Sequence, residues 1–200
     1  KTAYEIGVRL VGSEMCIRDR GVSMLRGFAP VCRDDARILI LGSMPGAASL
    51  DAGRYYAHPR NAFWPIMGDI LWAREDLPYD ERLERLKVAG VALWDVVGSC
   101  RRRGSLDSAI EDETPNDFGA FFRKYKAIHT VLFNGRTAQA LFVRRVLPDL
   151  EPFVPALVAM PSTSPAHAGM RFEEKRARWQ EAMKESGRAG KIKLLCDGTI

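Results

Sequence analysis

Four short stretches hold side chains able to act together on a ligand. They are Gly42-Ser43-Met44-Pro45-Gly46, Tyr55-Tyr56-Ala57-His58-Pro59-Arg60-Asn61-Ala62-Phe63-Trp64, Phe133-Asn134-Gly135 and Pro161-Ser162-Thr163-Ser164-Pro165-Ala166-His167-Ala168. Between them they supply two asparagine amides, two imidazoles, a run of hydroxyls and Gly-Pro turns that bring backbone close to a ligand. Arginines interleave with aromatics at Arg54-Tyr55-Tyr56 and Arg60 to Trp64, a mixture that suits either nucleic-acid contact or core packing. The four cysteines, Cys16, Cys32, Cys100 and Cys196, show no Cys-x-x-Cys spacing and none lies near a histidine. That pattern argues against zinc or an iron–sulfur cluster, and no metal or organic cofactor is expected. No Gly-x-Gly-x-x-Gly or Walker-type loop follows the first apolar run, which disfavours an unrelated nucleotide-binding enzyme.

These stretches need a frame, and the hydrophobic pattern supplies one. Short apolar runs at Arg37 to Leu41, Val88 to Trp94, Ala127 to Phe133 and Val154 to Met160 read as buried strands. Helical patterns lie between them. One opens at Trp64-Pro65, and one follows Asp80 through Leu83 and Leu86. A third follows Thr114-Pro115-Asn116-Asp117, with Phe118, Phe121, Phe122 and Tyr125 on one face. Arg136 to Val146 and a last segment through Phe172, Trp179 and Met183 complete the set. Strands alternating with helices predict an α/β fold: a three-layer α/β/α sandwich around a mainly four-stranded parallel sheet. In such a sheet ligands bind beyond the carboxyl ends of the strands. Three of the four stretches directly follow a predicted strand, so they line one rim. Asp95 also ends a strand but is given no catalytic role, and Arg101-Arg102-Arg103 reads as a basic loop.

The chain has 200 residues, 46% hydrophobic and 28% charged, with a net charge of +5, which fits one globular domain and permits nucleic-acid contact. No apolar run reaches the ~20 residues of a membrane span, and no secretory pattern opens the chain. The expectation is a cytoplasmic monomer. Residues 1–23 look foreign: Arg9 to Arg20 resembles a translated sequencing-library adapter, without periodicity or capping logic. We read 1–23 as a non-native extension and 24–200 as a single catalytic domain. Dropping 1–23 removes Lys1, Arg9, Arg18 and Arg20 against Glu5, Glu14 and Asp19, so the basic balance survives.

Taken together, the four stretches resemble the successive motifs of hypoxanthine-DNA (deoxyinosine) glycosylases, a branch of the uracil-DNA glycosylase superfamily. The Tyr-Tyr-Ala-His-Pro-Arg-Asn-x-Phe-Trp block is the most specific piece, and the likeness runs over roughly residues 24 to 187. The resemblance implies a uracil-DNA glycosylase-like fold and a monofunctional enzyme that flips deoxyinosine out of DNA and hydrolyses its glycosidic bond. It implies a partner, DNA containing deaminated bases. The alternatives are a glycosylase for uracil or another deaminated base, and a non-catalytic nucleic-acid-binding α/β domain.

The resemblance also implies roles. Many superfamily members carry Asp or Asn in the first motif to position water. Here that motif holds Ser43-Met44, and the task passes to Asn61, which equally fits a helix N-cap before Trp64-Pro65. His167 is expected to assist the departing base or touch a phosphate, and it also fits an exposed loop histidine. Asn134 is the base-recognition candidate. Its amide donates to a carbonyl oxygen and accepts from a ring N–H, a pairing offered by hypoxanthine and uracil and refused by adenine and cytosine. An Asn-Gly turn is its plain alternative. Gly42, Ser43, Met44, Tyr56 and Phe63 are expected around the base, with Tyr55, Tyr56 and Phe63 as stacking rings unless they are core. Pro45, Gly46, His58, Arg60, Ser162, Thr163, Ser164 and Pro165 are expected on the DNA backbone, and Pro165 to Met170 in the gap left in the stack. No placed nucleophilic lysine points to strand cleavage.

Overall fold

The computed structural model describes residues 24–150 and 155–190. The reading of residues 1–23 as foreign lies outside them. Four apolar runs form the strands of one sheet: β2 (Ile38–Gly42), β3 (Val91–Asp95) and β6 (Thr130–Asn134), buried nearly throughout, and the more exposed edge strand β7 (Ala156–Met160). They pair in parallel in the order β3-β2-β6-β7. The chain leaves β2 toward β3 on one side and later resumes at β6 on the other. The carboxyl ends of β2 and β6 therefore flank the point where the winding direction reverses, the place where such sheets open a crevice.

Helices cover both faces: α2 (Phe63–Leu71), α3 (Tyr79–Val88) and α6 (Phe172–Gly190) on one, α4 (Phe118–Lys124) and α5 (Arg136–Arg145) on the other. The pleat sorts the core accordingly. Ile38, Ile40, Leu93 and Leu132 pack with Phe63, Met67, Leu86 and Trp179. Leu39, Leu41, Trp94, Val131 and Phe133 pack with Phe118, Phe121 and Phe142. The Thr-Pro-Asn-Asp start signal works through Asp117, whose side chain accepts from the Ala120 N–H at 2.8 Å at the head of α4. A short α1 (Ala47–Ala52) begins at Gly46.

The expected four-stranded sheet and its flanking helices are all present. A second, three-stranded antiparallel sheet was not expected: β1 (Met24–Arg26), β4 (Val97–Arg102) and β5 (Ile110–Pro115), in the order β1-β4-β5. It takes up the arginine run read as a loop. Arg101 and Arg102 belong to β4, and Arg102 points inward at 5% exposure. Among the described residues no helix is long and apolar enough to cross a membrane.

Candidate active site

The site is built around the ends of β2, β3 and β6. Gly135 follows β6 with φ +101°, a backbone that glycine alone holds without strain, and a Cβ there would meet the Ser162 Cβ at 3.0 Å. This close approach brings the loop after β7 against Asn134. The Thr163 N–H donates to Asn134 Oδ1 at 2.8 Å, and Asn134 Nδ2 donates to Thr163 Oγ1 at 2.9 Å. Because a backbone N–H can only donate, the carbonyl end of the Asn134 amide is fixed. The carbonyl of Thr163 in turn accepts from the Ala62 N–H at 2.9 Å. Thr163 thus ties the Asn134 strand end to the residue next to Asn61, and the two asparagines meet through it.

The bonds to Thr163 also limit Asn134. Both go to one residue and occupy the edge that carries Oδ1 and Nδ2 side by side. One Nδ2–H and one Oδ1 lone pair remain, on opposite flanks of the amide. The two-point grip expected from Asn134 is thereby reduced to one outward contact while Thr163 stays bound. Thr163 is 1% exposed and its hydroxyl is engaged, so the expected phosphate contact falls to Ser162 and Ser164, whose hydroxyls also shape the turn by accepting from the N–H groups of Ser164 and Ala166.

Asn61 Oδ1 accepts from the Phe63 N–H at 3.0 Å, so it bonds to the first residue of α2 from one place before the N-cap, which is Ala62. Its Nδ2 group makes no hydrogen bond among the described residues. The half-buried His58 accepts the Arg60 N–H on Nδ1 at 3.1 Å, and its carbonyl accepts the Asn61 N–H at 2.8 Å, so His58 shapes the turn that presents Asn61. Arg60 and His167 are exposed. His167 is held by its backbone alone: its N–H donates to the Ser164 carbonyl, and its carbonyl accepts from the buried Lys175 ammonium at 2.7 Å.

Two expected base contacts turn inward. Phe63 is completely buried, with Trp64 edge-on and Tyr56 stacked on it at 3.9 Å between ring centroids and 22° between planes. Tyr56, partly exposed, is the aromatic face left for a ligand, and it holds a left-handed backbone at φ +55°. The Met44 side chain, 5% exposed, packs in the core on the α4 and α5 side. Ser43 is buried and donates to Asp107 Oδ1 at 2.7 Å. Pro45 is buried and its carbonyl accepts from the Arg102 guanidinium. Gly46 is half-buried and opens α1.

One residue set aside in the sequence lies at the centre. Asp95 ends β3 in register with Gly42 and is 3% exposed. A Cβ on Gly42 would lie 2.3 Å from Asp95 Oδ1 and 3.5 Å from the Tyr56 hydroxyl, so these groups converge above Gly42. Asp95 Oδ2 and the Tyr56 hydroxyl both lack a hydrogen-bond partner, although the hydroxyl sits beside the Asn134 side chain. Burial first and the neighbouring Asp107 second push the Asp95 carboxyl up to about 7, against the pull of Arg102. The signal was available: an aspartate closing an apolar strand at a sheet's carboxyl rim, opposite a glycine.

The chain matches the family model described as the uracil DNA glycosylase superfamily over residues 29–185. It is 42% identical over 114 residues to the hypoxanthine DNA glycosylase of Methanosarcina barkeri (strain Fusaro), covering 56% of this chain and 71% of that one. It is 39% identical over 114 residues to the hypoxanthine DNA glycosylase of Methanosarcina acetivorans, covering 56% and 72%. Among solved structures it resembles a Methanosarcina acetivorans protein determined by NMR in solution and titled as a candidate uracil DNA glycosylase. The TM-score is 0.69 at 31% identity, over 82% of this chain and 99% of the other.

Proposed function

The chain belongs to the uracil DNA glycosylase superfamily, and from that premise we propose that it is a monofunctional DNA repair glycosylase that releases hypoxanthine from deoxyinosine. The observation that supports this reading is the Thr163 link, which joins the end of β6, carrying Asn134, to the residue next to Asn61. The names of the two Methanosarcina relatives support the choice of base.

The glycosidic bond is hidden in a duplex, so the nucleotide must first swing out, which costs about a few kcal/mol of stacking and pairing. Ser162, Ser164 and the exposed Arg60 hold the flanking phosphates, and the loop from Pro165 to Met170 fills the vacated stack. His167, exposed on that loop, contacts a phosphate. The extruded base lies against the exposed part of Tyr56, beside the Asp95 carboxyl that fills the space over Gly42. Stacking of this kind contributes about 1–3 kcal/mol per base. Asn134 then donates its remaining Nδ2–H to the base carbonyl. An amino group in that place leaves the amide facing another donor, which disfavours adenine and cytosine.

Asn61 orients water toward C1′. An amide is a weak base, but a bond that breaks ahead of attack asks for alignment of water more than for a strong base. Its Oδ1 already holds Phe63 N–H, so the side chain is fixed in place and keeps two N–H donors and one lone pair for solvent.

The test uses oligonucleotides with a single inosine, uracil or xanthine, followed by alkaline cleavage of abasic sites. Inosine is expected to give product, reduced by at least about 100-fold in Asn61→Ala and in Asn134→Ala. No product from any deaminated base removes the glycosylase reading and leaves a non-catalytic binder.

A further inference from the structure

The contacts proposed so far hold an extruded base at one end. Asn134 reaches it from β6, and nothing expected in the sequence reaches it from β3. Asp95 sits there. Its side chain leans across Gly42, and only the missing Cβ of that glycine makes room for it. Oδ2 is buried and unpartnered. A buried carboxylate oxygen without a hydrogen bond is costly if charged, and the group avoids that cost by keeping its proton or by meeting a donor. Arg102, whose guanidinium donates to the Pro45 carbonyl, pulls the carboxyl toward its charged form, but burial and Asp107 outweigh it.

We propose that Asp95 is a second base-contacting residue, which donates a proton from its free oxygen to a ring nitrogen of the extruded purine, opposite Asn134, and so helps the base depart. This inference rests on the glycosylase reading above. β3 and β6 flank β2, so the backbones that carry the two side chains run about 9–10 Å apart, two strand spacings, and Asp95 leans inward from its end over Gly42. A two-ring base spans both contacts, whereas a one-ring base meets them one at a time. Asp95 therefore favours hypoxanthine over uracil, a distinction Asn134 cannot make.

In the reaction the C1′–N9 bond breaks and both its electrons pass to the base. The Asp95 proton moves to a ring nitrogen, leaving neutral hypoxanthine. Water adds to C1′, and its surplus proton returns the Asp95 carboxylate to the acid. The groups that face this carboxyl are Asp107 from the turn after β4, Arg102 from β4, and Tyr55 and Tyr56 from the segment after α1. Burial and Asp107 favour the protonated form the role requires, and the value of about 7 places the change near neutral pH.

The test is single-turnover base release from inosine and uracil oligonucleotides, with enzyme in excess, across about pH 5.5 to 9. The wild-type rate on inosine is expected to fall above neutral pH, approaching about tenfold per unit. Asp95→Asn keeps the shape and a donor but cannot transfer a proton, so its rate is lower and flat on the alkaline side. Asp95→Ala is expected to lose about 100-fold or more on inosine at mildly acid pH, less on uracil, with DNA binding changed by less than about threefold. An unchanged alkaline limb in Asp95→Asn overturns the proposal, as does Asp95→Ala within about threefold of wild type. Should Asp95→Ala fail to fold, the near-isosteric Asp95→Asn profile decides alone. A wild-type enzyme inert on every deaminated base removes the parent reading and this one with it. An active wild type with an Asp95-independent profile removes this one only.

Discussion

Asn134→Asp separates the two tasks of that side chain. The remaining oxygen still accepts from Thr163 N–H, while the donor that faces the base carbonyl is replaced by a second acceptor. Hypoxanthine release is expected to drop by at least about 100-fold in a single-turnover assay, more than for Asn134→Ala, because the carboxylate repels the carbonyl as well as failing to bind it. Asp95 makes a different kind of prediction, in stability. Its folded pKa is raised to about 7 from the ordinary 3.8, so folding favours the protonated form. That contribution is fully present below about pH 3.8 and is lost as pH rises through about 7. Asp95→Asn removes the dependence. Thermal melts should show the variant gaining on wild type between pH 5 and pH 8, by on the order of a few kcal/mol at the alkaline end. A constant difference across that range contradicts the assignment of the shift to Asp95.

At the scale of elements, Gly135 and Trp179 hold the loop after β7 in place. Gly135→Ala forces φ +101° on a residue with a Cβ and drives it into Ser162. The expected cost is about 1–3 kcal/mol by chemical denaturation, together with a loss of activity as the Thr163 bonds misalign. Trp179 is fully buried, and its indole N–H donates to the Pro161 carbonyl at 3.1 Å, pinning α6 under the same loop. Trp179→Ala should cost about 3–5 kcal/mol. These elements were largely legible beforehand. β2, β3, β6 and β7 are continuous apolar runs, and α4 announces itself through Asp117. The antiparallel sheet was hidden because β4 turns Arg102 inward, against the usual rule for buried faces. β5 interrupts its alternation with register shifts and Asp112 at φ +50°. At the site, spacing found the loops but not their internal bonding. Sequence shows Asn134 and Thr163 as two polar residues 29 apart, and it takes the positive-φ glycine between β6 and α5, where a Cβ would press on Ser162, to let them meet. The inward turn of Met44, and the choice between stacking ring and core for Phe63, were hidden for a related reason, since an aromatic or thioether in a motif carries no mark of which way it faces.

For the whole molecule, the excess of cations is small and much of it is internally spent. Arg144 and Arg145 share Glu113, Arg176 bridges Asp69 and Glu173, and Arg101 faces Asp112. Arg60 and Arg103 are exposed and form no ion pair among the described residues, which leaves both open to phosphate. Arg60→Glu and Arg103→Glu should weaken binding to any DNA sequence alike. Each should lower the slope of log affinity against log salt by about one, which a fluorescence titration at several salt concentrations reads directly. The Thr163 knot has a further consequence in time. A chain emerging from the ribosome can lay down β2, β3 and β6, with Gly42, Asp95 and Asn134 already on them, well before Thr163 appears. Until that threonine and the anchoring tryptophan behind it have been synthesised, the Asn134 amide has neither of the bonds that fix it. The half-made polypeptide therefore holds its site residues in order along the sheet before the one link that joins its two asparagine segments exists.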